Sequence, residues 1–143
     1  MPGVGLGVII LNELDQVLLI LRNDDPEKAL SDMRLEGTWT LPAGKVKNGE
    51  TLIEAAKRKV KAETNLNVDN LEIISIADDI NEYAHFVTIG LIARMCEGSI
   101  DLGDSQEHVD YKYFDIDNLP SNLCEPSIKI INNYKEKVIY RGE

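Results

Sequence analysis

Hydrophobic positions fall along this chain in patterns of different period, and each period predicts a different element. Val4 to Leu11 is a continuous apolar run interrupted by Gly5 and Gly7, the pattern of a strand buried on both faces. Gln16 to Arg22, QVLLILR, is a second apolar run, and the turn chemistry of Asn12 to Asp15 predicts that the two pair as a hairpin. The strand glycines either mark bulges or admit another group close to the backbone. Trp39 to Val68 reads as a short strand, a glycine-containing loop and a helix. Leu52, Ala56 and Val60 recur at four-residue spacing, with Ile53 and Ala55 widening the stripe, so one face of that helix packs inward. Thr51 and Glu54 make a capping box at its start. Asn65 suits a left-handed C-cap, because its short polar side chain tolerates positive φ.

Asn70 to Ile80 and Ala84 to Cys96 are longer apolar and β-branched stretches joined by the short polar Asn81-Glu82-Tyr83, which predicts an antiparallel pair. Val109, Tyr111 and Tyr113 alternate with Asp110 and Lys112, as in a strand with one wet face running to Asp115. Pro120 marks a turn over Asn118 to Asn122, and Pro126 sits in the first turn of a last helix carrying Ile128, Ile131 and Tyr134 at helical spacing. Between the second strand and Trp39, the polar stretch Asn23 to Gly37 is longer than most connections in compact domains. It is expected to form a flap beside a ligand, with an extra turn of helix around Glu27 to Leu30. The order of elements suits an α/β (α+β) arrangement with a mixed sheet between helices, and residues 1–143 are read as one domain.

Composition changes this picture in few places. The formal net charge of −10 argues against nucleic acid or an anionic membrane as the main partner. Lys57, Arg58, Lys59 and Lys61 nevertheless cluster on the predicted helix, so a small phosphate-bearing ligand is compatible with the acidic total. Cys96 and Cys124 form neither a C-x-x-C pair nor a zinc spacing. No basic n-region precedes the first strand, and no apolar run approaches the roughly 20 residues that span a bilayer, so a cytoplasmic location is expected. A homodimer is left open.

The segment from Gly44 to Leu66 resembles the box of the Nudix (MutT-like) hydrolase family, G-x(5)-E-x(7)-R-E-U-x-E-E-x-G-U, with U aliphatic. Gly44, Glu50, Arg58, Val60, Glu63 and Leu66 match at the correct spacings, whereas Lys59 and Ala62 replace glutamates and Asn65 replaces a glycine. The preceding LPAG is similar to the family's L-P-x-G approach, and EHVDYKYFDIDNLP from Glu107 looks like its terminal strand and turn. The resemblance implies an α-β-α sandwich with a mixed central sheet. It also implies a metal-dependent pyrophosphohydrolase, using Mg²⁺ or Mn²⁺ to cleave a nucleoside diphosphate linked to another group X.

By the same correspondence Glu63 is a catalytic and metal-binding carboxylate, and the backbone carbonyl of Ala43 is a further ligand. Glu50 and Arg58 hold the loop–helix geometry. Gly44 and Lys45 belong to the phosphate-binding loop, and Glu107 lies where relatives bring another metal ligand, with Asp104 and Asp110 as neighbouring candidates. Arg22, at a strand end, either reaches the ligand's phosphate or is solvated. Positions 59, 62 and 63 share one helix face, and only one carboxylate of three remains there. Lys59 and Glu63 can pair at i,i+4, which would place an ammonium where metal would sit. Asp78, Asp79 and Glu82 read as a solvated strand end, His85 and His108 as structural, and Trp39 and Tyr113 as core aromatics or as platforms for a base. Two readings of function therefore stand: an attenuated hydrolase, or a Nudix-fold module that binds a nucleotide or partner without turnover.

Overall fold

The computed structural model describes residues 1–142. Its strands are β1 (Gly3–Ile10), β2 (Gln16–Arg22), β3 (Trp39–Thr40), β4 (Ala43–Lys45), β5 (Asn67–Ile80), β6 (His85–Glu97) and β7 (His108–Asp115), and its helices are α1 (Leu52–Thr64) and α2 (Glu125–Glu136). One mixed sheet has the order β4-β1-β6-β5, and an antiparallel sheet has the order β3-β2-β7.

Alternation along β1 explains the layering. Leu6, Val8 and Ile10 join Ala55, Ala56 and Val60 of α1 in one core cluster, while Ile9 joins Ile130 and Ile131 of α2 in another. Successive strand residues face opposite sides, so the helices cover opposite faces of the sheet and the expected α-β-α sandwich results. Gly7 and Gly90 are register partners. A Cβ at either would lie 2.8 or 2.7 Å from Ile130, so these glycines let α2 close onto the sheet.

The helix signals are realised. Thr51 and Glu54 form the reciprocal capping box, and Asn65 caps the other end with φ 67°. Pro126 lies in the first turn of α2, and β5 and β6 are an antiparallel pair.

Several expectations are corrected. β1 and β2 do not form a hairpin ladder: β1 pairs in parallel with β6 and antiparallel with β4, and only Leu11 and Val17 bridge across the turn. Period-2 patterning fixes faces and leaves partners unspecified, so a short turn can also deliver a strand to the second sheet. Ile53 is exposed rather than part of the inward stripe. The N–H groups of Lys28 and Ala29 both donate to the Asp25 carbonyl, a turn that no helix continues. Asp79 is buried against the Lys129 ammonium, 3.3 Å away, and not solvated. Val109 and Tyr111 are both exposed, and β7 carries a bulge at Val109 whose consequence appears at the site. Trp39 stacks edge-on against Phe114 at 5.1 Å in the α2-side cluster, and Tyr113 packs against the α1-side cluster, so both are core aromatics.

Candidate active site

β4 is an edge strand, and its unpaired side is where the site begins. Val8 donates to the Pro42 carbonyl and Val46 to the Val4 carbonyl. By the alternation of an antiparallel ladder, the N–H and C=O groups of Ala43 and Lys45 then face away from β1. Side chains of α1 meet them. The Ala43 N–H donates to Glu63 Oε1 at 2.9 Å, and Arg58 Nη2 donates to the Lys45 carbonyl at 2.9 Å. The Ala43 carbonyl thus opens on the same side as the Glu63 carboxylate.

Two ion pairs made by side chains of α1 differ sharply. Arg58 grips Glu50 through Nε to Oε2 at 2.7 Å and Nη2 to Oε1 at 2.9 Å, and the Lys47 N–H donates to Oε1 at 3.0 Å. These donors, Arg58 foremost, hold the Glu50 carboxyl down at about 2. Glu63, one turn further along, is buried, and its Oε2 has the Lys59 ammonium at 3.6 Å. Burial pushes the Glu63 carboxyl up to about 7, against the pull of Lys59 and of the Ala43 N–H. Gly44 is required for that placement, since a Cβ there would meet Lys59 Cε at 2.2 Å.

The second sheet supplies the opposing wall. Arg22 at the end of β2 is buried, with Nη2 donating to the Ala29 carbonyl at 2.8 Å and Nη1 lying 3.4 Å from Glu107 Oε1. In the β2–β7 ladder Leu21 pairs with Asp110, but Arg22 pairs with His108. Val109 is therefore an extra residue, and such a bulge re-aims the side chains beside it. It turns His108 inward. The imidazole Nε2 is buried without a hydrogen-bond partner and lies 3.9 Å from Glu63 Oε2. Burial holds this imidazole down at about 4, with Glu107 opposing and Arg22 and Lys59 reinforcing the shift.

Glu63, Glu107 and His108 each offer one ligand atom, all within 4.8 Å of one another. Two carboxylates and a neutral, unpartnered imidazole form a donor set that fits a divalent cation. They line a cavity of about 230 Å³ with Arg22, Lys45 and Lys59, and Leu30 to Met33 of the long connection form part of its rim. Lys45 is exposed and bridges Asp32 on that rim at 2.9 Å. Asp104 and Asp110 lie outside the donor set. His108 was expected to be structural. On a regular strand His108 would share the face of Asp110, and the bulge at Val109, invisible in the residue pattern, sets it opposite Arg22 instead, while Glu107 reaches the site from the bend just before the strand.

The fold and site together define an α-β-α sandwich with a strand-edge cavity walled by a capped helix and two sheets, in which acids and cations face each other. The sequence description of the NUDIX domain matches residues 1–134, and the chain belongs to the Nudix family. It is 33% identical over 135 residues to an ADP-ribose pyrophosphatase of Methanocaldococcus jannaschii, covering 93% of this chain and 73% of that protein. It is 37% identical over 79 residues to an 8-oxo-dGDP phosphatase of Mus musculus, a match covering 55% of this chain and 22% of that protein. Among solved structures, a MutT NUDIX hydrolase from Burkholderia pseudomallei superposes with a TM-score of 0.81 at 25% identity, covering 93% of this chain and 98% of that one. Among the described residues no helix is long and apolar enough to cross a membrane.

Proposed function

We propose that this chain is a pyrophosphohydrolase acting on a nucleoside diphosphate linked to another group X, with a divalent cation held by Glu63, Glu107 and His108. The observation that carries this reading is the convergence of those three donors, from α1 and from the start of β7, in one cavity. When bound, such a cation polarises phosphoryl oxygens and lowers the pKa of a water molecule. The chain's own residues do the rest. Arg22, Lys45 and Lys59 line the same cavity and offset phosphate charge, Arg22 from a fixed position because loop carbonyls hold its guanidinium. Glu50 and Arg58 position the loop through their paired hydrogen bonds. The Glu63 carboxylate is oriented by the Ala43 N–H.

The pairing of Lys59 with Glu63, together with alanine at position 62, supports a second reading: a module that binds nucleotide without turnover. A panel of nucleoside triphosphates, ADP-ribose and nucleotide sugars, each with Mg²⁺ or Mn²⁺, separates the two by phosphate or nucleotide release. Cation-dependent turnover of at least one compound is expected. Nucleotides that raise the melting temperature with no turnover anywhere in the panel would establish the binding module instead.

A further inference from the structure

The acid-poor box leaves a specific vacancy in the chemistry, and His108 is placed to fill it. Its side chain is 5% exposed, its Nε2 has no hydrogen-bond partner, and it faces the one helix carboxylate that the box retains. Buried polar atoms in folded proteins are nearly always partnered, so an orphan nitrogen aimed into a cavity points to a ligand. At 3.9 Å from Glu63 Oε2 the nitrogen is too far for a hydrogen bond. It falls within the span of roughly 3 to 4.2 Å that separates two ligands of a single ion with bonds of about 2.1 Å. The Lys59 ammonium lies 3.6 Å from the same oxygen, but on a flexible and partly exposed stem. An arriving cation can displace it, whereas the imidazole is held by the β7 backbone opposite Arg22.

We propose that His108 Nε2 is an inner-sphere metal ligand beside Glu63 and Glu107, and that this site takes an imidazole-binding first-row transition cation in preference to Mg²⁺. Mg²⁺ is bound through oxygen and keeps its waters. Imidazole suits Fe²⁺, Ni²⁺, Cu²⁺ and Zn²⁺. Replacing box glutamates and recruiting a histidine through the bulge at Val109 therefore changes which ion the site selects as well as how strongly it binds. The inference rests on the proposed cation-assisted reading, but its test needs no substrate.

Calorimetric titration of the intact chain with Ni²⁺ and with Mg²⁺, for the parent and His108→Gln, reads the ligand directly. Loss of the imidazole is expected to weaken Ni²⁺ binding by about tenfold or more while leaving Mg²⁺ affinity nearly unchanged. Equal losses for both ions, or none for Ni²⁺, would overturn the proposal. Pulsed EPR of the Mn²⁺ complex covers the case in which that variant misfolds. The chain has two histidines, so a His85→Gln variant grown with ¹⁵N-histidine leaves His108 as the sole labelled imidazole. Directly bonded ¹⁵N coupling to Mn²⁺ is expected, and its absence overturns the assignment. Coupling without turnover of any panel substrate would remove the hydrolase reading and leave this inference standing. Turnover with no such coupling would do the reverse.

Discussion

Two side chains of α1, Arg58 and Glu63, enter acid–base pairs that have opposite fates. Glu50 and Arg58 meet in a fork at 2.7 and 2.9 Å, with a backbone N–H as third partner, so every charge is answered and the carboxyl stays ionised. Glu63 and Lys59 meet at 3.6 Å beside an orphan imidazole, so the carboxyl is half-answered and its proton is held tightly. A bidentate guanidinium fixes a geometry, whereas a point-charge ammonium on a long stem only compensates a charge. The satisfied pair supports the architecture, and the frustrated pair marks where a ligand or ion completes the structure.

The comparison breaks most decisively if the frustrated pair is rebuilt. The double change Lys59→Glu with Ala62→Glu places carboxylates at all three positions of one helix face. We expect metal-dependent hydrolysis to appear or to rise by about 100-fold, the order that restored electrostatic stabilisation of phosphates supplies. Rates at saturating Mg²⁺ in parent and double variant decide it. Unchanged rates would mean that the acids at 59 and 62 were never limiting.

The next effect is on stability against pH, measured with chelator present. Folding raises the Glu63 pKa from 4.5 to about 7, so its contribution is complete below pH 4.5 and lost as pH climbs through 7. Folding lowers the His108 pKa from 6.5 to about 4, so the native state binds fewer protons and stability grows as pH climbs from 4 to 6.5. The opposed slopes cancel in the shared window, and the parent should show little pH dependence there. Glu63→Gln should unmask a rise of about 3 kcal/mol between pH 4 and 6.5, and His108→Gln a fall of similar size between pH 4.5 and 7. Denaturant titrations across that range read both. Variants as flat as the parent would show that neither group is desolvated as described.

The frame was legible in the sequence because its signals are local. Thr51 with Glu54, Asn65 at the C-cap and Pro126 in α2 each declare themselves within a few residues, and the spacing of Gly44, Glu50, Arg58 and Glu63 declares the family. Glu63 and Glu107 were likewise placed at one site from their correspondences, and the structure brings them within reach of each other. What stayed hidden depends on non-local pairing. Nothing in QVLLILR says that β2 leaves β1 for a second sheet, and nothing in EHVDY says that Val109 is skipped by its partner strand. The burial of Asp79 was hidden for the same reason, because Lys129 reaches it from α2, some fifty positions away in the chain.

The smallest effect tests the other half of the comparison. Glu50→Gln keeps the size of the side chain but removes its charge and sets an amide N–H₂ toward the Arg58 donors. The fork loses one of its two acceptor oxygens, so the melting temperature should drop by a few degrees. Because folding lowers the Glu50 carboxyl from 4.5 to about 2, its contribution is present above 4.5 and lost only as pH falls through 2. The drop should therefore be constant from pH 5 to 8, where the Glu63 and His108 variants slope. Ni²⁺ affinity should also stay within about twofold of the parent, since a loop-positioning residue touches no ligand atom. A pH-dependent drop, or a Ni²⁺ affinity that collapses with Glu50, would show that the two pairs act as one coupled unit and that the division between frame and site is mistaken.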